Sequence, residues 1–255
     1  MLKSINFKIK MLAAGVLTFL CFNNQLSAQS LIAGIPSADV APVGKIMFTH
    51  ESQINSWQYD KVKWNSFNFM CYGVQKNLEL TLSFSNLSNS PVSHESVGFG
   101  FKKIIDINVH IPETKFVFGQ NVLYGLNEKS VGGWSYAMFS CRTPKLKTRL
   151  TAGLSLGSAE LFGYDTSTVK DNFGNKNFTV TRRNPVSFIA GIEQPIIEKK
   201  FSIIADWFSG SHDLSALIVG TQLDFEHIVL ISGYKFINYE PVKKGSIIVE
   251  LMYEF

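Results

Sequence analysis

His212-Asp213-Leu214-Ser215 is the one place in this chain where His, Asp and Ser cluster, so it is the first candidate for nucleophilic chemistry. Such catalysis needs a base within hydrogen-bond reach of the nucleophile and a third group orienting that base. On a strand, residues two apart share a face, whereas His212 and Ser215 are three apart and point opposite ways. The surrounding Ser209 to Asp213 has the composition of a polar hairpin tip instead. His50, His94, His110, His212 and His227 stand far apart, with no HExxH or H-x-H pattern to suggest a metal. Gly98 and Gly100 lie within a strand pattern, not ahead of a helix, so they cradle no phosphate. No enzyme activity, metal or cofactor is expected from these residues.

The remaining polar groups acquire meaning only from the elements that carry them, and those elements have a period of two. Leu146, Thr148, Leu150, Ala152, Leu154 and Leu156 alternate with Lys145, Lys147, Arg149, Thr151, Gly153 and Ser155. Leu78, Leu80, Leu82 and Phe84 alternate with Glu79, Thr81, Ser83 and Ser85 in the same way. Soluble strands average about 5–6 residues; a strand crossing lipid at a tilt needs about 9–11. About twelve such segments are expected, with cores at 45–53, 63–73, 78–86, 95–104, 114–124, 133–142, 147–156, 186–196, 200–208, 213–222, 227–236 and 246–255. Short connections alternate with long ones, as short periplasmic turns alternate with long extracellular loops in barrels. The 105–113 turn is longer than that rule wants. The segment 157–183, rich in Asp, Asn, Thr, Ser and Gly, is expected either to constrict the mouth or to shield the rim.

Composition agrees with a chain that meets two solvents. Apolar residues make up 45% and charged residues only 17%, with 21 Phe, against roughly 25% charged in soluble domains. Lys3, Lys8 and Lys10 precede an apolar run from Met11 to Phe22 and a small residue at Ala28, the pattern of a secretory signal spanning 1–28. Removing those three lysines takes the net charge from +4 to +1, so no basic tract argues for nucleic acid. No apolar run after residue 28 is long enough for a transmembrane helix; a chain in a membrane would then be a barrel. Residues 29–44, with Pro36 and Pro42, read as an extended periplasmic arm, and 45–255 as the barrel. Cys71 and Cys141 sit on alternating strands among aromatics and read as small apolar side chains, not as a disulfide.

The last strand is the most specific signal. Ile247, Val249, Leu251, Tyr253 and Phe255 share one face, and Ser246, Glu250 and Glu254 fall on the other. On these residues the sequence resembles the outer-membrane β-barrel proteins of Gram-negative bacteria, porin-like and transporter-like chains among them. The resemblance implies that Val249, Leu251, Tyr253 and Phe255 form the signal read by the barrel-assembly machinery and that outer-membrane lipid is a partner. It points to no particular substrate, and a small-molecule solute enters only with the pore reading. The run Ala205 to Gly210 resembles a strand-to-loop stretch of poorly characterised outer-membrane barrels. Barrel lipid hydrolases carry a His two residues before the Ser, which this chain lacks.

Parity then assigns the charges. If Phe201, Ile203, Ala205 and Trp207 face lipid, Asp206 faces the lumen, and Lys147, Arg149, Glu193, Lys235 and Glu250 follow, as does Lys102. Opposed charges in a lumen select ions or solutes; equally, they pair into a network that plugs a barrel of this intermediate size. The expectation is an all-β, antiparallel transmembrane barrel acting as a passive or weakly selective pore for small solutes. The alternatives are a closed structural or surface-interaction barrel working through 157–183 and, last, a barrel lipid hydrolase. A secreted β-sandwich would share the period of two but not the terminal Phe or the alternating loops.

Overall fold

The computed structural model describes residues 31–55, 63–86, 95–107, 110–127, 129–158, 164–170, 176–182, 185–210, 212, 214–238 and 245–255. The 1–28 signal, all of 56–62 and 87–94, and Asp213 lie outside the described residues.

Alternation becomes architecture directly. The strands are β1 (Ile46–Asn55), β2 (Lys63–Gln75), β3 (Leu78–Asn86), β4 (Ser96–Asp106), β5 (Lys115–Gly125), β6 (Val131–Arg142) and β7 (Arg149–Gly157). After them come β8 (Tyr164–Lys170), β9 (Lys176–Arg182), β10 (Val186–Ile197), β11 (Phe201–Phe208), β12 (Ala216–Asp224), β13 (Ile228–Ile237) and β14 (Ser246–Glu254). All but β8 and β9 form one closed antiparallel barrel, each strand beside its neighbour in sequence and β1 sealed against β14. Closure removes the two unpaired edges that an open sheet would expose. The barrel therefore has twelve strands. The long 105–113 connection does not disturb the count, because β4 and β5 pair along their full length from Ser96↔Gly125 to Asp106↔Lys115.

β8 and β9 form a separate two-stranded hairpin, Tyr164↔Arg182 to Lys170↔Lys176, within the long 157–183 segment. A hairpin there follows from its Thr and Val content, since β-branched residues favour strands.

Side-chain parity holds around the wall. In β14, Ser246, Ile248, Glu250 and Met252 are buried inside while Ile247, Val249, Leu251 and Tyr253 are exposed outside. Outward rows on other strands are apolar as well: Phe99, Phe139, Leu154 and Leu156 are each more than half exposed. So large a continuous apolar exterior is foreign to a soluble monomer.

The inside is where sequence and structure part. Residues 31–42 do not extend as the expected periplasmic arm; they are buried or half-buried inside the barrel, while Val43 and Gly44 are exposed where the segment leaves it. Ile32, Ala33 and Ile35 are fully buried and join a core with Ile189, Ile204, Ile218, Ile231 and Ile248 of the wall. The physical reason is that the wall's inner face is not uniformly polar, and its isoleucines need apolar partners that water cannot supply.

Candidate functional site

The site is the lumen and the segment that fills it. Residues 31–36 fold into a tight turn, closed by the Ile32 N–H donating to Ile35 C=O at 2.9 Å and by a bridge between Leu31 and Pro36. The turn's tip packs closely on the wall: a Cβ on Gly34 would come within 2.6 Å of Ile218 Cδ1, so that side-chain tip would have to shift. Ile32 and Ile35 reach the wall where β10 carries Gly191; a Cβ there would meet their Cδ1 atoms at 2.6 and 3.1 Å. The turn leaves two amides without backbone partners, and Asp206 of β11 takes both. Its Oδ2 accepts the N–H of Ala33 at 2.9 Å and of Gly34 at 2.7 Å. A carboxylate is the strongest acceptor available for paired N–H donors.

Lower in the lumen the attachment is ionic. Asp39 accepts Arg149 Nη1 at 2.5 Å and Lys115 Nζ at 3.2 Å. Lys115 also donates to the Ala38 carbonyl at 2.9 Å. Burial pushes the Asp39 carboxyl up, but the cations Arg149 and Lys115 outweigh it and hold the group below its ordinary range. Glu79 of β3 accepts the Ala41 N–H at 2.8 Å and pairs with Lys102 at 3.2 Å, both side chains being almost wholly buried. The segment then leaves through β2: the Gly44 N–H donates to Gly73 C=O at 2.8 Å, and the backbones touch so closely that a Cβ on Gly73 would lie 2.1 Å from Pro42 C=O.

A cavity of about 90 Å³ remains on the side of the plug that faces the long connections. Phe67, Phe69, Trp134, Phe208 and Leu214 are among its apolar lining residues, Ser83, Ser85 and Asn121 among its polar ones, and Glu51, Asp206 and Lys235 supply its charge. Phe67 and Phe69 stack with centroids 6.1 Å apart, and Trp134 is fixed by donating Nε1–H to Ser155 at 2.6 Å. Lys235 Nζ donates to Gln53 Oε1 at 3.3 Å, and Gln53 donates to Glu51 at 2.6 Å. Glu250 lies opposite Glu51 in the β1–β14 register, fully buried, with neither carboxylate oxygen hydrogen-bonded.

Of the charges assigned by parity, Arg149, Glu193, Asp206, Lys235 and Glu250 project into the lumen, as does Lys102, and Arg149 also approaches Glu193 at 3.4 Å. Lys147 does not. It sits in the β6–β7 turn with φ +54°, its N–H bonded to Thr143 C=O, and its ammonium pairs with Glu198 of the next turn at 2.7 Å. The alternation runs through 145–148 in sequence, but the strand starts only at Arg149. Val249, Leu251 and Tyr253 face outward, and Phe255 follows them, its N–H donating to Ile46 C=O at 2.9 Å.

Three functional carboxylates escaped the sequence reading as site residues: Asp39, Glu51 and Glu79. Strand parity reaches Glu51 and Glu79, which fall on the same inner rows as the assigned charges; nothing in the period of two reaches Asp39. His212 donates to or accepts from Ser187 Oγ at 2.7 Å, and Ser215 Oγ donates to the His212 carbonyl at 2.6 Å, so this cluster pins the β11–β12 connection. Among the described residues no group of three His, Cys, Asp or Glu is placed to hold a metal. Cys71 and Cys141 are thiols, with no disulfide between them.

The wall, its apolar exterior and its lined interior define a twelve-stranded β-barrel of the outer-membrane type. No family model matches the chain, and no curated protein does. Among solved structures it is similar to the KdgM porin (10% identity, TM-score 0.48, covering 83% of this chain and 99% of that one). It is similar to the NanC porin at 10% identity and TM-score 0.48, over 82% of this chain and 98% of that one. The translocator domain of the autotransporter NalP from Neisseria meningitidis aligns at 14% identity and TM-score 0.45, over 99% and 96%. None reaches a TM-score of 0.5, so nothing these proteins carry is transferred to this chain.

Proposed function

We propose that this protein is an outer-membrane barrel that passes small solutes and is closed at rest by its own N-terminal segment, residues 31–44. The observation that carries the reading is the way the segment is held. It is fastened at a few polar points, Asp206, Arg149 with Lys115, and Glu79, and is covalently tied to the wall only where it enters β1. A plug built as a strand of the wall would be hydrogen-bonded along its length; among the described residues this one pairs with the wall by a single bridge, Val43 to Gly73. The apolar outer rows support residence in a bilayer, where a closed barrel satisfies every backbone group.

The deciding experiment is ion current across a planar bilayer, comparing the exported chain with a deletion of residues 31–44. Long closures in the former and steady conductance in the latter are expected. A deletion variant that refolds and passes no current overturns the reading. A second reading, surface interaction, draws on the β8–β9 hairpin, a sheet of its own on the side of the long connections. Loss of a binding partner on excision of 164–182, with conduction unchanged, would favour it.

A further inference from the structure

We infer that the cavity beside the plug is a binding site for a small organic ammonium ion, a conclusion that deepens the solute-passage reading and rests on it for its biological use. The chemistry of the walls selects this class. Phe67, Phe69, Trp134, Phe208 and Leu214 offer apolar surface to a compact hydrocarbon body, as ligand pockets ordinarily do. Aromatic faces also attract cations. The charge is acidic: Glu51 and Asp206 line the space, Glu250 stands beside Glu51 across the strand pair, and Lys235 is the one cation among the described lining residues.

The three carboxylates are not equally available. Asp206 already receives the Ala33 and Gly34 amides, and Glu51 receives one bond from Gln53. Glu250 is fully buried with both oxygens lacking hydrogen bonds. A buried carboxyl without a donor is costly; an ammonium group in the cavity would donate to Glu51, which lines it, beside Glu250 across the strand pair. Other occupants fit less well. An anion would face the carboxyl groups of Glu51 and Asp206, and among the described residues no three His, Cys, Asp or Glu are grouped to hold a metal ion.

Calorimetric titration of the refolded protein in detergent with butylammonium, butanol and butyrate tests this. Saturable binding of butylammonium, at least tenfold tighter than butanol, with none for butyrate, is expected; Glu51→Gln and Glu250→Gln should each weaken it tenfold or more. Equal binding of alcohol and ammonium, or no saturation, overturns the site. If either variant fails to refold, the comparison of the three ligands on the unaltered protein decides alone. Because binding is read without current, a barrel that conducts but does not bind butylammonium refutes the site only. One that binds it but never conducts after deletion of 31–44 refutes the passage reading only.

Discussion

Asp206 Oδ2 accepts the amide of Gly34, 172 positions earlier in the sequence, at 2.7 Å, and that bond joins the wall of the barrel to the tip of its plug. Its partner bond to Ala33 shares the same oxygen. Replacing Asp206 by Ala would leave two lumen amides without an acceptor, at about 1–3 kcal/mol for each group left unsatisfied. The wall itself keeps its β11 pairings to β10 and β12. Asp206→Ala is therefore expected to raise the open fraction in single-channel records at least tenfold while leaving the folded band resistant to heat in detergent. Asn at this position retains one acceptor oxygen and should give an intermediate open fraction. Unchanged closures in the Ala variant would remove Asp206 from the latch.

The second latch, Asp39 with Arg149 and Lys115, responds to pH. The folded carboxyl lies below its ordinary range, because the two cations outweigh the effect of burial. A group depressed on docking contributes stability that is fully present above its undocked value, roughly 3.9 for an aspartate, and is lost as pH falls through the docked value. Closure should thus be insensitive to this group from neutrality down to about pH 4 and weaken below it. In Asp39→Asn that acid-dependent component disappears, and closures shorten at every pH, since Arg149 keeps only the more distant Glu193. An acid response that survives intact in Asp39→Asn would place the sensor elsewhere.

Gly73 tests the plug's point of departure. A methyl group there would collide with backbone, Pro42 C=O at 2.1 Å and Ala41 C=O at 2.4 Å, and backbone yields less readily than a side-chain tip. Gly73→Ala should displace 41–44 from β2, with a cost of about 1–3 kcal/mol borne by the plug more than the wall. Limited proteolysis provides the readout: cleavage within 31–44 should accelerate while the barrel core persists. Equal resistance to protease would show that the junction relaxes without freeing the segment.

These three positions also mark what the sequence discloses. The wall is legible because its physics is local: each residue of β14 or β7 declares its side by parity, and twelve segments of adequate length close a barrel. Asp206, Arg149 and Glu250 are buried on the inner rows that this rule assigns. The plug is illegible by the same rule, since residues 31–44 have no period and their partners are distant in sequence. Yet two hints exist. Ile32, Ala33 and Ile35 are too apolar for a solvated arm. The inner rows also carry Ile189, Ile204, Ile218, Ile231 and Ile248, which a water-filled lumen would not favour. Lys147 fails for the opposite reason: alternation continues past the true strand start into a turn whose φ of +54° no pattern reveals.

The seam of the barrel gives the last prediction. β14 closes against β1 from Met47↔Glu254 to Ile54↔Ile247, and Phe255 lies just beyond that register, 63% exposed, its ring edge-on to Tyr253 at 4.7 Å. The ring contributes little to the folded protein beyond that contact, which for an aromatic pair amounts to about 0.5–1.5 kcal/mol, while its backbone N–H to Ile46 C=O survives any substitution except Pro. If Val249, Leu251, Tyr253 and Phe255 form a signal for assembly, Phe255→Ala should separate two quantities that stability alone would keep together. Refolded in detergent, the variant should melt within a few degrees of the original chain. Expressed in cells, it should accumulate in the membrane at a small fraction of the normal level. A variant that inserts normally would reduce Phe255 to an interface aromatic. One that fails to refold in vitro would instead make the ring part of the seam's own stability.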